Sequence, residues 1–203
     1  NLANGEWYYV PGPPTEPFSL VHLTTEWDKD VCHLPMPLPT RQSDGEICYH
    51  NFPSEHVVWR PEYDAYVEYC KLVPPKHSRV IGSWNFREND PTARPFKFVQ
   101  HLYDERARLK AAKDGANVAI KLGLNSLYGK LAQQLGARMD EKGEWKLPPF
   151  HCLEWAGYIT SHCRATIMQA CMQNLDAIIA IQTDAVFTSE PLDLPVSSNL
   201  GEW

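Results

Sequence analysis

Several features that would place a sequence at once are missing from these 203 residues. No apolar run approaches the roughly 18 residues of a membrane span, so no membrane association is expected. The opening, Asn1-Leu2-Ala3-Asn4-Gly5, has neither the basic n-region nor the apolar stretch of a secretory signal. Six cysteines (Cys32, Cys48, Cys70, Cys152, Cys163 and Cys171) contain no C-x-x-C pair. That argues against a zinc or disulfide framework and for reduced, cytosolic thiols. His151-Cys152 and His162-Cys163 repeat too loosely to read as a ligand quartet, and buried structural residues are the better reading. An initial methionine is also absent, and the sequence stops at Leu200-Gly201-Glu202-Trp203 just after a strand-like run. The expectation is a fragment cut from a longer chain.

What is present is enough apolar content, 43%, to bury one large core or two small ones. The net charge of −6 argues against a nucleic-acid partner until the charge is located. Nine Lys/Arg against three acids lie between Arg94 and Arg138, so that block carries +6 and the remainder −12. A basic block in an acidic protein suits an anionic ligand or a phosphate backbone.

The pattern predicts a mixed α+β chain. Residues 1–60 are rich in proline, with short strand-like runs at 6–10, 19–23, 46–50 and 55–59, and read as irregular β structure. Pro61-Glu62 opens a helix to about Leu72, with proline at the first position and an acid in the first turn. Ser78–Phe86 reads as a strand. Pro95–Lys113 and Ala116–Leu135 read as two helices broken at Asp114-Gly115, hence antiparallel neighbours. A short hairpin is expected across Glu141-Lys142-Gly143-Glu144, then a helix from Phe150 to Met172. Two strands, Ala177–Gln182 and Ala185–Ser189, follow around a Thr183-Asp184 turn.

The second basic helix carries KLGLNSLYGK, residues 121–130. At about 100° per residue, Lys121, Asn125 and Tyr128 share one stripe, while Ile120, Leu124, Leu127, Leu131 and Leu135 form the apolar stripe beside it. On the preceding helix Arg106, Lys110 and Lys113 repeat at i, i+4, i+7 and so share a face. Asn125, Ser126 and Gly129 each weaken a helix and fill no core position. The helix therefore reads as built to hold something anionic.

Lys121-x-x-x-Asn125-Ser126-x-Tyr128-Gly129 resembles motif B, on the fingers helix of family B DNA polymerases. Arg106-x-x-x-Lys110 is similar to the basic pair on the partner fingers helix. Gly157-Tyr158-Ile159-Thr160-Ser161-x-x-Arg164 resembles the palm helix that follows, and Gln182-Thr183-Asp184 stands where the family has its Asp-Thr-Asp hairpin, motif C. The short link between Lys110 and Lys121 resembles phage and organellar-plasmid members, including protein-primed ones. Leu34-Pro35 and Trp59-x-Pro61-Glu62 look like that viral branch as well.

The resemblance implies an α+β fold: a polymerase palm, an antiparallel sheet backed by helices, with a two-helix antiparallel fingers hairpin. Its divisions would be 1–93, a palm-associated β-rich region; 94–136, the fingers; and 137–203, the palm with the motif C hairpin. It implies template-directed addition of deoxynucleotides to a primer 3′ end by two-metal nucleotidyl transfer, in the cytoplasm of a phage- or virus-infected cell. Partners would be primer-template DNA, deoxynucleoside triphosphates and the remainder of the polymerase, namely exonuclease, motif A and thumb. Arg106, Lys110, Lys121, Asn125 and Tyr128 would bind the nucleotide, with Lys121 also a general acid to the leaving pyrophosphate. Ser126, Gly129, Lys130, Arg164, Gln182 and Thr183 would contact DNA, and Asp184 would be the catalytic carboxylate that holds Mg²⁺.

Two departures stand out. Gln182 replaces the first aspartate of the hairpin, so either that position is not an essential ligand in this branch or activity is reduced. Motif A, a strand ending Asp-x-x-Ser-Leu-Tyr-Pro, occurs nowhere in residues 1–203 and is expected just before Asn1, which would leave the fragment inactive by itself. The alternative is a catalytically inactive, polymerase-derived module that binds nucleotide or single-stranded nucleic acid.

Overall fold

Ser19–Glu26, SLVHLTTE, alternates buried and half-buried residues along its whole length, as a strand with one face on a core must. A computed structural model of the chain describes residues 5–42, 44–90, 92 and 94–197. The two ends on which the expectation of a fragment rests, Asn1–Asn4 and residues 198–203, lie outside the described residues.

The elements in chain order are β1 (Gly5–Val10), β2 (Ser19–Glu26), β3 (Thr40–Arg41), β4 (Ile47–Cys48), β5 (Ser54–Trp59), α1 (Arg60–Leu72), β6 (His77–Glu88), α2 (Lys97–Ala111), α3 (Ala116–Ala132), β7 (Arg138–Met139), β8 (Trp145–Lys146), α4 (Leu153–Cys171), β9 (Ile178–Gln182) and β10 (Ala185–Thr188). They divide into two compact units, one of residues 89–156 and one of residues 5–88 with 157–194.

In the second of these, β1, β6, β2 and β5 form one antiparallel sheet in that order. The expectation of irregular β structure over residues 1–60 is thereby corrected. The strands of that region become a regular sheet because β6, a 12-residue strand, returns from beyond α1 to lie between β1 and β2. Its register against β2 shifts between His22 and Leu23, a bulge of the kind that sharpens strand twist. Val21, Leu23, Val58, Tyr66 and Tyr69 are buried together with Trp27, whose indole meets both tyrosine rings edge-on. Full burial of a side chain such as Leu23 contributes about 1.5–3 kcal/mol.

Two buried polar side chains of this unit, Asn85 and His56, are fully paired, whereas Tyr69 OH, Thr40 Oγ1 and Ser161 Oγ are buried with no hydrogen-bond partner among the described residues. Asn85 Oδ1 accepts from the Thr15 and Glu16 backbone N–H groups and the Ser19 hydroxyl, while its Nδ2 donates to Ser83. One side chain thus pins the proline-rich segment before β2 to the sheet. His56 is as deeply buried. Its neutral ring fits if Nδ1–H donates to the Pro39 carbonyl (3.0 Å) and Nε2 accepts from the Thr25 hydroxyl (2.9 Å). Burial lowers the pKa of this imidazole, with a smaller push downward from His50 and opposing pulls from the Pro39 carbonyl and Glu62.

Pro61 sits in the first turn of α1, where its missing N–H costs nothing. Glu62 follows it but does not face water. It is buried and receives the Arg164 guanidinium from α4 through Nε (2.6 Å) and Nη2 (3.1 Å). Burial disfavours the charge on Arg164, and the Glu62 carboxylate more than offsets this, so its pKa is raised overall. Gly157 of α4 lies directly against the Trp59 indole, where a Cβ would overlap the ring. All six cysteines are free, and among the described residues no helix is long and apolar enough to cross a membrane.

Two outcomes follow from these buried groups. Glu62→Ala leaves Arg164 without its partner and should destabilise the chain by about 2–4 kcal/mol in chemical denaturation, toward the low end because Arg164 keeps partial access to water. The depressed His56 pKa means that the unfolded state takes up the proton first. Stability from this site should be complete above about pH 6.5 and lost as pH falls from there toward the native value. Thermal melts between about pH 5 and 7.5 should show this acid slope, and His56→Gln should flatten it.

Candidate functional site

The unit of residues 89–156 is built on α2 and α3, which pack on one another across the break at 112–115. The link is a Schellman turn. Lys113 N–H donates to the Lys110 carbonyl and Asp114 N–H to the Leu109 carbonyl, satisfying the last carbonyls of α2. Lys113 occupies the left-handed position of that turn, at φ +56°. The expectation that Lys113 continues the face of Arg106 and Lys110 is therefore corrected. The helix ends at Ala111, and Lys113 lies beyond it in a conformation that glycine adopts more readily.

The remaining basic residues of α2 differ in their surroundings. Arg108 is tied to Glu105 by two short bonds of 2.6 and 2.7 Å. Arg106 is half-buried, and its Nε is buried with no hydrogen-bond partner among the described residues. Lys110 and Lys121 are exposed, and neither side chain has an ion-pair or hydrogen-bond partner among the described residues. Asn125 is exposed, and Tyr128 keeps half of its surface in water. Ser126 donates its hydroxyl to the Gly123 carbonyl one turn back, which is how the helix accommodates it. Lys130 reaches Gln133 Oε1 at 2.8 Å. A Cβ added at Gly129 would meet nothing within 4 Å, so packing inside the chain does not require glycine there.

The other candidate residues belong to the unit of 5–88 and 157–194. β9 and β10 pair around a two-residue turn, with Gln182 opposite Ala185, and this puts Asp184 in an exposed position at the hairpin tip. Thr183 has φ +55°, a left-handed value rare for a β-branched residue. Its hydroxyl lies 2.7 Å from the Gln182 carbonyl and 3.0 Å from Asp184 Oδ1. Gln182 is exposed. Arg164 has two of its nitrogens committed to Glu62, a partner that lies 102 positions away and gives no signal in the local sequence. Arg164, Tyr49, Met36 and Thr183, with the apolar run Ile178–Ile181, line a cleft of about 480 Å³ beside the hairpin. That cleft is not legible in the sequence either.

Magnesium holds an octahedron of oxygens and usually takes one or two carboxylates plus substrate phosphates. Asp184 offers one carboxylate, and no group of three His, Cys, Asp or Glu side chains suited to a metal occurs among the described residues. The described residues do not by themselves make a magnesium centre.

No family model and no curated relative matches the sequence. A solved structure does. Phi29 DNA polymerase, complexed with primer-template DNA in a post-translocation binary complex, superimposes on 93% of this chain with a TM-score of 0.56 and 22% identity. The fold is similar to that of part of this polymerase. The chain spans 35% of that polymerase's length, and the likeness is one of fold.

Replacing Lys113 by glycine should remove the left-handed strain at the end of α2 and stabilise the chain by about 0.5–1 kcal/mol. Lys113→Ala, which keeps the Cβ, should give no such gain. Chemical denaturation of the two variants side by side checks this.

Proposed function

We propose that this chain is a nucleotide- and template-contacting portion of a family B DNA polymerase of the short-fingered, phage-like kind, adding deoxynucleotides to a primer 3′ end. The observation that carries the reading is the stripe Lys121, Asn125 and Tyr128 on α3. These three side chains are exposed and without partners among the described residues, on a helix of a polymerase-like fold.

In this reading the basic residues of α2 and α3 meet the triphosphate. Arg106, Lys110 and Lys121 neutralise the phosphoryl oxygens, whose charge grows on the leaving pyrophosphate as the bond to the α-phosphorus breaks. Lys121 Nζ then gives a proton to that pyrophosphate. Asn125 donates an amide hydrogen bond to phosphate or sugar. Tyr128 offers a ring face to the nascent base pair, and the open surface at Gly129 admits the template strand. Ser126 and Lys130 on α3 would contact DNA, and so, in the other unit, would Arg164, Gln182 and Thr183, with Arg164 also a structural anchor through Glu62. Asp184 is the carboxylate that this chain contributes toward Mg²⁺, and a second must come from outside residues 1–203.

Gln182 favours a second reading. An exposed amide where a metal-binding hairpin has a carboxylate suits a module that grips nucleotide or single-stranded nucleic acid without catalysis.

Primer extension by the polypeptide that contains this chain separates the two. Under the polymerase reading, Lys121→Ala costs about 2–4 kcal/mol of transition-state stabilisation in kcat/KM, the scale of removing one preorganised donor. Asp184→Asn abolishes incorporation while DNA binding is kept, and Gln182→Ala costs far less. A loss below about tenfold for Lys121→Ala contradicts the assignment. Equal losses at 182 and 184, or an active Asp184→Asn enzyme, contradict the assignment of the hairpin.

A further inference from the structure

The hairpin turn between β9 and β10 has an unusual occupant. Two-residue hairpins need positive φ at one or both central residues, and glycine, asparagine or aspartate normally supply it. Here the first central residue is Thr183, at φ +55°, and among the described residues the second, Asp184, is not in the left-handed region. That is the φ pattern of a type II′ turn, whose first central position is the usual place for glycine. A β-branched side chain there sets its Cβ against the backbone, a strain that persists only where the surroundings impose it.

The side chain has a task that glycine could not perform. Thr183 Oγ1 carries one proton and has two acceptors in reach, the Gln182 carbonyl at 2.7 Å and Asp184 Oδ1 at 3.0 Å. Asp184 has no ion-pair partner among the described residues and stands at an exposed tip. Without a local hydrogen bond, an exposed aspartate samples its staggered rotamers freely. The hydroxyl of Thr183 can restrict it from the adjacent position when its one proton turns to Asp184 Oδ1 rather than to the nearer Gln182 carbonyl.

We infer that Thr183 is a positioning residue, holding the Asp184 carboxylate in one orientation at the hairpin tip at the expense of backbone strain. The inference rests on the polymerase reading for its catalytic consequence, but not for its structural one. Thr183→Val keeps the branched shape and the strain and loses the hydroxyl. Thr183→Ser keeps the hydroxyl, and Thr183→Gly removes both strain and hydroxyl.

Scalar couplings across the Asp184 Cα–Cβ bond, measured by NMR on this chain, test the structural part directly. The wild type and Thr183→Ser should show one dominant χ1 rotamer, and Thr183→Val and Thr183→Gly should show averaging. Averaged couplings in the wild type overturn the inference whatever the activity. In primer extension by the full polypeptide, Thr183→Val should lower kcat by about tenfold or more with KM little changed, the effect of a misplaced catalytic group. Thr183→Ser should restore most of that loss. Thr183→Gly should melt about 2–4 °C higher than the wild type yet turn over more slowly. A Thr183→Gly protein that is both more stable and fully active would show that the strain has no purpose. A wild-type polypeptide that incorporates no nucleotide contradicts the proposed function instead, and leaves the rotamer measurement to decide this one.

Discussion

The ion pair between Glu62 and Arg164 is the constraint on which the unit of residues 5–88 and 157–194 depends. It joins the first turn of α1 to the middle of α4, and it buries a carboxylate almost completely. Removing a charge from water costs several kcal/mol, and only good geometry offsets that. The Arg164 fork supplies it with two parallel bonds to the two carboxylate oxygens. An arrangement of α1 and α4 that parted these groups would leave a buried charge unpaired, so few dockings are tolerable. Gly157 against Trp59 fixes a second point along α4. From the end of α4 the chain passes through a short 3-10 turn, Leu175–Ala177, directly into β9. The hairpin that bears Asp184 therefore takes its place in the unit from a helix held by that ion pair.

Asn85 and His56 on one side, and Lys121 and Asn125 on the other, show two different uses of polar groups. In the sheet unit Asn85 and His56 are buried and hydrogen-bonded on both sides, which avoids the desolvation penalty of an unpaired polar group. On α3, Lys121 and Asn125 are exposed and have no partners among the described residues. Polar groups of the first kind specify a structure. Those of the second kind contribute nothing to the helix that carries them, whose sequence gives up helix propensity at Asn125, Ser126 and Gly129. That contrast is the physical basis for the proposal that α3 binds a ligand.

How much was legible follows from how far each signal reaches along the chain. α2, α3 and α4 declare themselves by local period, and β9–β10 by two apolar runs around a two-residue turn, so these elements match their expected ranges to within a few residues. The sheet was less legible because β6 joins strands that precede α1, and no local pattern in residues 1–60 announces a partner from residues 77–88. Helical spacing continues through Lys113 and puts it on a helix face, whereas the Schellman turn ends the helix two residues earlier. Arg164 reads in sequence as one cation of a motif, and its partner Glu62 as a first-turn acid facing the helix dipole. Only the fold brings them together. The left-handed φ of Thr183 has no sequence signature, since threonine is not a residue expected there.

The central claim is that α2 and α3 together receive a nucleoside triphosphate. The most direct test is a titration of this chain with dTTP, followed by backbone and side-chain NMR shifts. Saturable shifts are expected at Arg106, Lys110, Lys121 and Asn125, weakened by added salt as charge neutralisation requires. Shifts confined to residues 5–88 and 157–194, or none on α2 and α3 at millimolar dTTP, would contradict it.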